Sequence, residues 1–290
     1  MKIAYLILAH HQSAHVARMV RRLDDGDAVF FVHVDAKTDI APFERALADA
    51  PVVFAERRLV VNWGGWNMVQ ATLGLLEQAL ASSEGFGRFQ LLSDSCFPIK
   101  PTAFIRDRLS TSDRNFITIN HRLDEDSVFH YWVAHYHFPD HLKLHTVERL
   151  PPYVLCRKLL GRLAPRRPPA GLQLCKGWQW WCLTRSCARY VLDFVHARPD
   201  VVRFFRFGRI PDETFFQSIL ASSPLVDTLE PGFGAGELTG NHYVRWAGGK
   251  PVVLTEPAAT DLASTPACFA RKFSETDSAG LLDMLVARAA

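Results

Sequence analysis

Several signatures are missing from this 290-residue sequence, and each absence removes a class of function. There is no G-x-G-x-x-G after the first apolar run and no G-x-x-x-x-G-K-[ST], so dinucleotide and P-loop nucleotide sites lose their main support. No G-x-S-x-G elbow is present, which argues against an α/β-hydrolase. No H-E-x-x-H occurs, and the six cysteines (96, 156, 175, 182, 187 and 268) include no CxxC pair, so a closed zinc site is not indicated. Those cysteines read mostly as buried thiols rather than a disulfide scaffold. No apolar run is long enough to span a bilayer; "IAYLILA" is short and lacks the positive flank and cleavage signature of a leader. The expected compartment is the cytoplasm. A net charge of +3, from 33 basic against 30 acidic residues, gives no reason to expect a nucleic-acid partner, although a local basic patch could still hold a phosphate.

What is present suits a globular protein with a substantial core, 48% hydrophobic and 22% charged. "KIAYLILAHH" and "DAVFFVHVDAK" are apolar runs that end in polar residues, as buried strands do. Between them Val16, Met19, Val20 and Leu23 recur at helical spacing, which makes a strand–helix–strand unit long enough for a parallel crossover. "PVVFA", "RLVVNW" and "RFQLLSDSCFPIK" supply further strands, and "NMVQATLGLLEQALAS" a clear helix. "HYVRW" and "PVVLT" read as late short strands, with "DSAGLLDMLVARA" a closing helix. The expectation is an α/β protein with a mostly parallel, Rossmann-like central sheet flanked by helices, one domain over residues 1–290. Ligands of such sheets gather beyond the carboxyl ends of the strands, which nominates His10, Asp35, Trp63 and Asp94 as a group.

Residues 120–175 read differently, as a His-, Tyr- and Pro-rich excursion with a basic amphipathic helix near 153–164. Arg157, Lys158, Arg162, Arg166 and Arg167 there form either a solvated surface or a contact with an acceptor or an anionic membrane surface, the latter placing the protein peripherally on the inner membrane. The nearby histidines (121, 130, 135, 137, 141 and 145) match no zinc pattern and read as structural or surface groups. A metal-dependent sugar-nucleotide enzyme would need paired acids just beyond a core strand. "DGD" (25–27) and "DED" (124–126) are misplaced for that, and "LLSDSC" offers one acid, so no metal is expected. Fixed cations must then hold any diphosphate. Arg271 and Lys272 in "CFARKF" are the adjacent pair, facing opposite ways if extended, and Lys250 and Arg245 are further donors.

Trp180 and Trp181 in "KGWQWWCLT" put one indole in the core and offer the other as a platform for a sugar ring; Trp63 and Trp66 in "NWGGWNMVQA" pose the same choice. "RIPDETFFQSILASS" places Asp212 and Glu213 behind a proline and before apolar residues at helical spacing, as at a helix start.

Taken in order, "AYLILAHH", "FFVHVDAK", "VNWGGWNMVQA", "FQLLSDSCFPIK", "KGWQWWCLTR", "PDETFFQSIL" and "CFARKF" resemble the family of core-2/I-branching β-1,6-N-acetylglucosaminyltransferases and peptide O-xylosyltransferases, over residues 3–273. The resemblance implies a GT-A-like glycosyltransferase fold, an inverting mechanism, a UDP-sugar donor, a glycan or other hydroxyl acceptor, and no required metal or other cofactor. It makes Glu213 the general base and Lys272 the diphosphate lysine, with Lys250 a second basic contact. Asp35 becomes the strand-end acid near the nucleotide, and Trp181 falls in the segment lining the acceptor side. Asp212 is left as a helix cap or orienting group. The family's usual Asp before "[FY]PI" is Cys96 here, with Asp94 two places earlier. The chain begins close to the first strand, as a bacterial, cytoplasmic version would. N-acetylglucosamine is favoured as donor sugar narrowly over xylose. A metal-dependent transferase of another GT-A family and an inactive sugar-binding protein are the alternatives.

Overall fold

The run Ile3–Ala9 forms strand β1, with six of its seven residues buried. A strand covered on both faces requires such a run. In the computed structural model, which describes residues 1–142, 144–230 and 238–287, β1 lies inside a six-stranded sheet. Its companions are β2 (Ala28–Val34), β3 (Val52–Phe54), β4 (Arg88–Ser93), β6 (Phe116–Arg122) and β7 (Cys175–Thr184). The short β5 (Cys96–Pro98) follows β4 and belongs to a second sheet. In the first sheet the order is β3-β2-β1-β4-β7-β6. β1 pairs in parallel with β2 and β4, and β2 with β3; β7 runs antiparallel to both its neighbours. The expected α/β class and mostly parallel sheet are therefore present, with β7 as the reversed strand.

The second sheet has the order β5-β12-β9-β8, built from β8 (Leu238–Thr239), β9 (His242–Val244) and β12 (Phe269–Arg271). A small hairpin joins β10 (Trp246–Ala247) to β11 (Lys250–Pro251), so of "PVVLT" only the first residue is in a strand. The helices are α1 (Ser13–Leu23), α2 (Ala41–Ala46), α3 (Trp66–Ala81), α4 (Thr102–Thr111), α5 (Tyr131–Ala134), α6 (Leu144–Val147), α7 (Pro151–Leu163), α8 (Arg185–Ala197), α9 (Pro199–Arg206), α10 (Phe215–Ala221), α11 (Ala259–Ser264) and α12 (Ala279–Ala287). The predicted inward face of α1, Val16, Met19, Val20 and Leu23, is buried. One contiguous apolar cluster runs from Ile3 to Leu285.

"RLVVNW" is a correction, because it forms no strand. Side chains take the place of a ladder there. His33 Nε2 accepts from Leu59 N–H (2.9 Å), Asn67 donates to Val60 O (2.9 Å) and Lys37 to Val61 O (2.7 Å). With its backbone satisfied this way, the segment gains nothing from joining the sheet edge.

Alternation along β7 decides what faces the site. Gly177, Gln179 and Trp181 share the face toward α10, where Trp181 packs 5.4 Å from Phe216. Lys176, Trp178 and Trp180 share the opposite face.

Candidate active site

The stretch holding Asp212 and Glu213 is a single 3-10 turn, Pro211–Glu213; α10 begins two residues after Glu213, at Phe215. The turn is entered through Ile210, a non-glycine residue at φ +49°. That left-handed conformation costs of order 1–3 kcal/mol and persists only where its surroundings enforce it. Here Ile210 N–H donates to Gly64 O (3.1 Å) and Arg209 N–H to Trp132 O (2.9 Å), while Arg209 pairs with Glu148. Gly64 sits at φ +69°, and a Cβ there would stand 3.1 Å from Ile210 Cγ1, so the glycine lets the two loops meet. Next to it, Asp140 of the 120–175 excursion accepts from the N–H groups of Trp66 and Asn67 (both 3.1 Å), holding the start of α3. Burial pushes the Asp140 carboxyl up from its ordinary value.

The turn aims Glu213 at β7. Glu213 Oε2 lies 3.0 Å from Lys176 Nζ, with the carboxylate side chain 20% exposed and the lysine 4%. Burial is the larger influence on Glu213 and raises its pKa above the ordinary glutamate value, against the lowering by Lys176. Lys176 also donates to Gly177 O (3.2 Å), and three rings surround its ammonium: Trp178 at 4.5 Å, Phe129 at 4.9 Å and Trp132 at 5.2 Å. Two of those rings come from the 120–175 excursion, which is thus a wall of the site. Lys176 is the residue that the sequence reading missed. A lysine alternating with two tryptophans on one strand face was the signal available. Phe215 and Phe216, next along the chain, are not what buries Glu213, since both rings pack into the core against Trp66, Phe205 and Trp181.

Asp212 is buried and caps nothing, which corrects the cap half of its expected role as a helix cap or orienting group; neither the 3-10 turn nor α10 has a side-chain cap. Its Oδ1 is buried without a hydrogen-bond partner. Burial, with the neighbouring Glu213 charge, pushes this carboxyl up to about 7.

The second part of the site lies at the carboxyl ends of β1, β2 and β4, where His10, Asp35 and Asp94 do come together. Asp94 Oδ2 accepts from the backbone N–H of His10 (2.7 Å) and His11 (3.0 Å) and stands 2.9 and 2.8 Å from their Nδ1 atoms. Burial would raise the Asp94 pKa, but these imidazole and amide contacts outweigh it and hold the carboxyl well below the usual range. His11 is raised in turn, chiefly by its hydrogen bond to Asp94. Asp35 is buried beside them and accepts from Lys37 N–H (2.9 Å). Thr38 Oγ1 donates to His10 O (2.9 Å). His10, His11 and Asp94 are the group among the described residues whose ligand atoms lie close enough for a divalent cation. The excursion histidines do not converge on such a group; His137 is buried with Nε2 3.1 Å from Tyr131 O, and the side chain of His145 lies outside the described residues. Asp25 and Asp27 both pair with Arg106, and Asp124 to Asp126 are exposed.

Between the two parts stand the paired cations. The guanidinium of Arg271 lies 4.4 Å above the Trp180 ring and donates to Ser95 Oγ (3.4 Å), while its Nε is buried without a partner. Lys272 is half-buried, and burial followed by the Arg271 charge lowers its pKa. Neither forms an ion pair among the described residues. Gln12 ties this strand end to Asp94, donating to Asp94 O (3.2 Å) and Phe273 O (3.4 Å) and accepting from Glu275 N–H (2.7 Å).

Other nominated residues sit elsewhere. Trp181 is fully buried in the core and lines nothing, and Trp180 is buried between Arg271 and His242, because the second sheet covers it. Neither is an exposed platform. Trp178, tilted against Trp246 with ring centroids 4.6 Å apart, is the β7 indole on the open side, and the Nε1 atoms of both are buried and unpartnered. Trp63 is 60% exposed and makes no ring contact or hydrogen bond among the described residues. Arg245 pairs with Asp261, and Lys250 is exposed on the β10–β11 hairpin with no link to Glu213. A separate cavity of about 550 Å³ between α3 and α8, lined by residues such as Gln70, Glu77 and Leu192, includes none of these groups.

The arrangement is that of an α/β domain with a mostly parallel sheet, beside whose strand ends stand a buried lysine–carboxylate pair, two cations without an ion pair among the described residues, and indoles. The chain belongs to the Core-2/I-Branching enzyme family, whose profile matches residues 3–259. Among curated proteins it is similar to xylosyltransferase 2 of Rattus norvegicus, 25% identical over 98% of this chain and 33% of that protein. It is also similar to xylosyltransferase oxt of Drosophila melanogaster, 26% identical over 77% and 24%. The chain thus spans about a third of the length of the curated relatives it matches. Among solved structures, the galactosyltransferase LgtC in complex with donor and acceptor sugar analogs aligns with 99% of this chain and 95% of its own, at a TM-score of 0.40 and 11% identity.

Proposed function

We propose that this domain transfers a sugar from a UDP-sugar to an acceptor hydroxyl with inversion and without a metal ion. The observation that carries the reading is the Lys176–Glu213 pair, a largely buried carboxylate of raised basicity facing the same space as Arg271. Glu213 takes the proton of the acceptor hydroxyl as that oxygen attacks C1 of the sugar from the face opposite UDP. The C1–O bond to the diphosphate breaks, and its electron pair leaves on the β-phosphate. Arg271, with an orphaned Nε, and Lys272 stabilise that charge in place of an ion. Trp178 and Trp246, both half-buried, offer indole surface to the sugar or acceptor. Arg245 and Lys250 are not part of this arrangement.

N-acetylglucosamine is the donor sugar of the first reading. Xylose is the second, favoured by the names of the relatives. Slow hydrolysis of UDP-N-acetylglucosamine, UDP-xylose, UDP-galactose and UDP-glucose by the purified protein separates them without knowledge of the acceptor. The test of the mechanism is Glu213→Gln, which keeps volume and donor binding and should lower turnover by about 10²- to 10⁴-fold. Near-normal turnover by the folded variant would remove Glu213 from the mechanism.

A further inference from the structure

Helix α7 has no buried residue along its 13 positions. Leu155, Leu159 and Leu163 recur every four residues and so form one stripe, exposed by 68%, 53% and 76%. Lys158 and Arg162 are exposed on the same side, and Arg167 is exposed just beyond the helix. The sequence holds no Asp or Glu between Glu148 and Asp193, so nothing on this segment neutralises them. Of the cluster of basic residues, Arg157 and Arg166 are half-buried, and Arg166 is the anchor. It donates to His135 O and Phe207 O (both 2.6 Å) and lies 4.5 Å from the Phe204 ring, anchoring the end of α7 to the body of the protein.

Three leucines on an outward face need cover, and the cations beside them choose it. A second copy, meeting this face by two-fold symmetry, would set Lys158 and Arg162 against their own equivalents. An anionic bilayer surface satisfies both features, since acyl chains accept the leucines and headgroup phosphates accept the cations. No helix among the described residues is long and apolar enough to cross a membrane, so the contact is one of lying on the surface.

We propose that α7 docks the protein on an anionic lipid surface, with Leu155, Leu159 and Leu163 at the headgroup–acyl boundary and Lys158, Arg162 and Arg167 on phosphates. The proposal does not depend on the transferase reading, and its test contains no sugar nucleotide. The full chain is sedimented with phosphatidylcholine vesicles and with vesicles containing about one third phosphatidylglycerol, at low and high salt. Binding should be at least about tenfold stronger to the anionic vesicles and fall steeply with salt. Leu155→Ser with Leu159→Ser, and separately Lys158→Glu with Arg162→Glu, should each weaken it about tenfold or more at an unchanged thermal midpoint. Equal binding to both vesicles, or wild-type binding by the charge-reversed variant, would overturn the proposal. So would self-association that the leucine substitutions abolish while lipid binding is absent.

Discussion

Replacing Lys176 with methionine fills the same aromatic cage but takes away the charge 3.0 Å from Glu213. Unit charges at that separation attract by about 5 kcal/mol at an effective dielectric of 20, much of it offset by the desolvation of the ammonium. Removing one partner of a buried pair costs about 3 to 5 kcal/mol, because the other charge is left without compensation. The thermal midpoint should fall by several degrees. The more telling effect is on titration. Burial already raises the Glu213 pKa, and Lys176 opposes it; without the lysine the pKa rises further, and less carboxylate is available at neutral pH. The acidic limb of the pH profile of kcat/KM should therefore move to higher pH, with about tenfold loss of rate for each unit of movement at a fixed pH below it. Rate should recover as pH is raised, and Lys176→Arg, which keeps the charge, should keep the limb near its wild-type position. A methionine variant that loses activity equally at all pH values, with its limb in place, would make Lys176 a structural residue only.

The remaining predictions concern the neighbouring groups. Asp212, with a carboxyl at about 7 against the ordinary 3.8, binds its proton more tightly folded than unfolded. Stability therefore declines as pH rises from about 4 to about 7, by something on the order of 4 kcal/mol, and Asp212→Asn should flatten that slope in midpoints measured across the range; a slope identical to wild type would refute the assignment. Lys272→Ala and Arg271→Ala should each weaken UDP more than uridine, by about 1.5 to 3 kcal/mol in calorimetric titration, and equal loss for both ligands would place the residue outside the diphosphate site. UDP binding should survive EDTA, whereas a requirement for Mn²⁺ would move the ion onto His10, His11 and Asp94 and end the metal-free reading.

The parts of the fold written in local pattern were legible in the sequence. β1 and β2 are continuous apolar runs because both faces are covered, and α1 shows its inward stripe because one face is. "RLVVNW" misled because its valines have strand composition, while the groups that satisfy its backbone, His33, Lys37 and Asn67, lie outside it. The site divides in the same way. Strand-end placement, which depends only on where parallel strands stop, found His10, Asp35 and Asp94 at the ends of β1, β2 and β4 and failed for Trp63, whose segment forms no strand. Alternation put Trp180 and Trp181 on opposite faces, but only the second sheet, formed by β5 far upstream and by strands some sixty residues or more downstream, decides that Trp180 is covered too. Lys176 was invisible as a partner of Glu213 because the contact is long-range, with 37 positions separating them in the chain.

A lysine beside a general base is at first sight a poor arrangement, since it stabilises the carboxylate that has to accept a proton. The cage resolves this. In the proposed transfer Glu213 becomes neutral as the acceptor oxygen attacks, and Lys176 loses its counter-charge while staying 4% exposed. A buried ammonium left alone in that way would resist the step. Here Trp178, Phe129 and Trp132 stand 4.5 to 5.2 Å from Nζ and continue to hold the cation, each by about 0.5 to 2 kcal/mol where water is excluded. The ion pair can therefore orient Glu213 before the reaction without fixing its charge during it. It follows that the rings belong to the chemistry of the base: Trp178→Leu should shift the acidic limb to lower pH, because a less stabilised ammonium clings more strongly to the carboxylate. A limb that does not move, measured on a variant that still binds UDP, would separate the cage from the base.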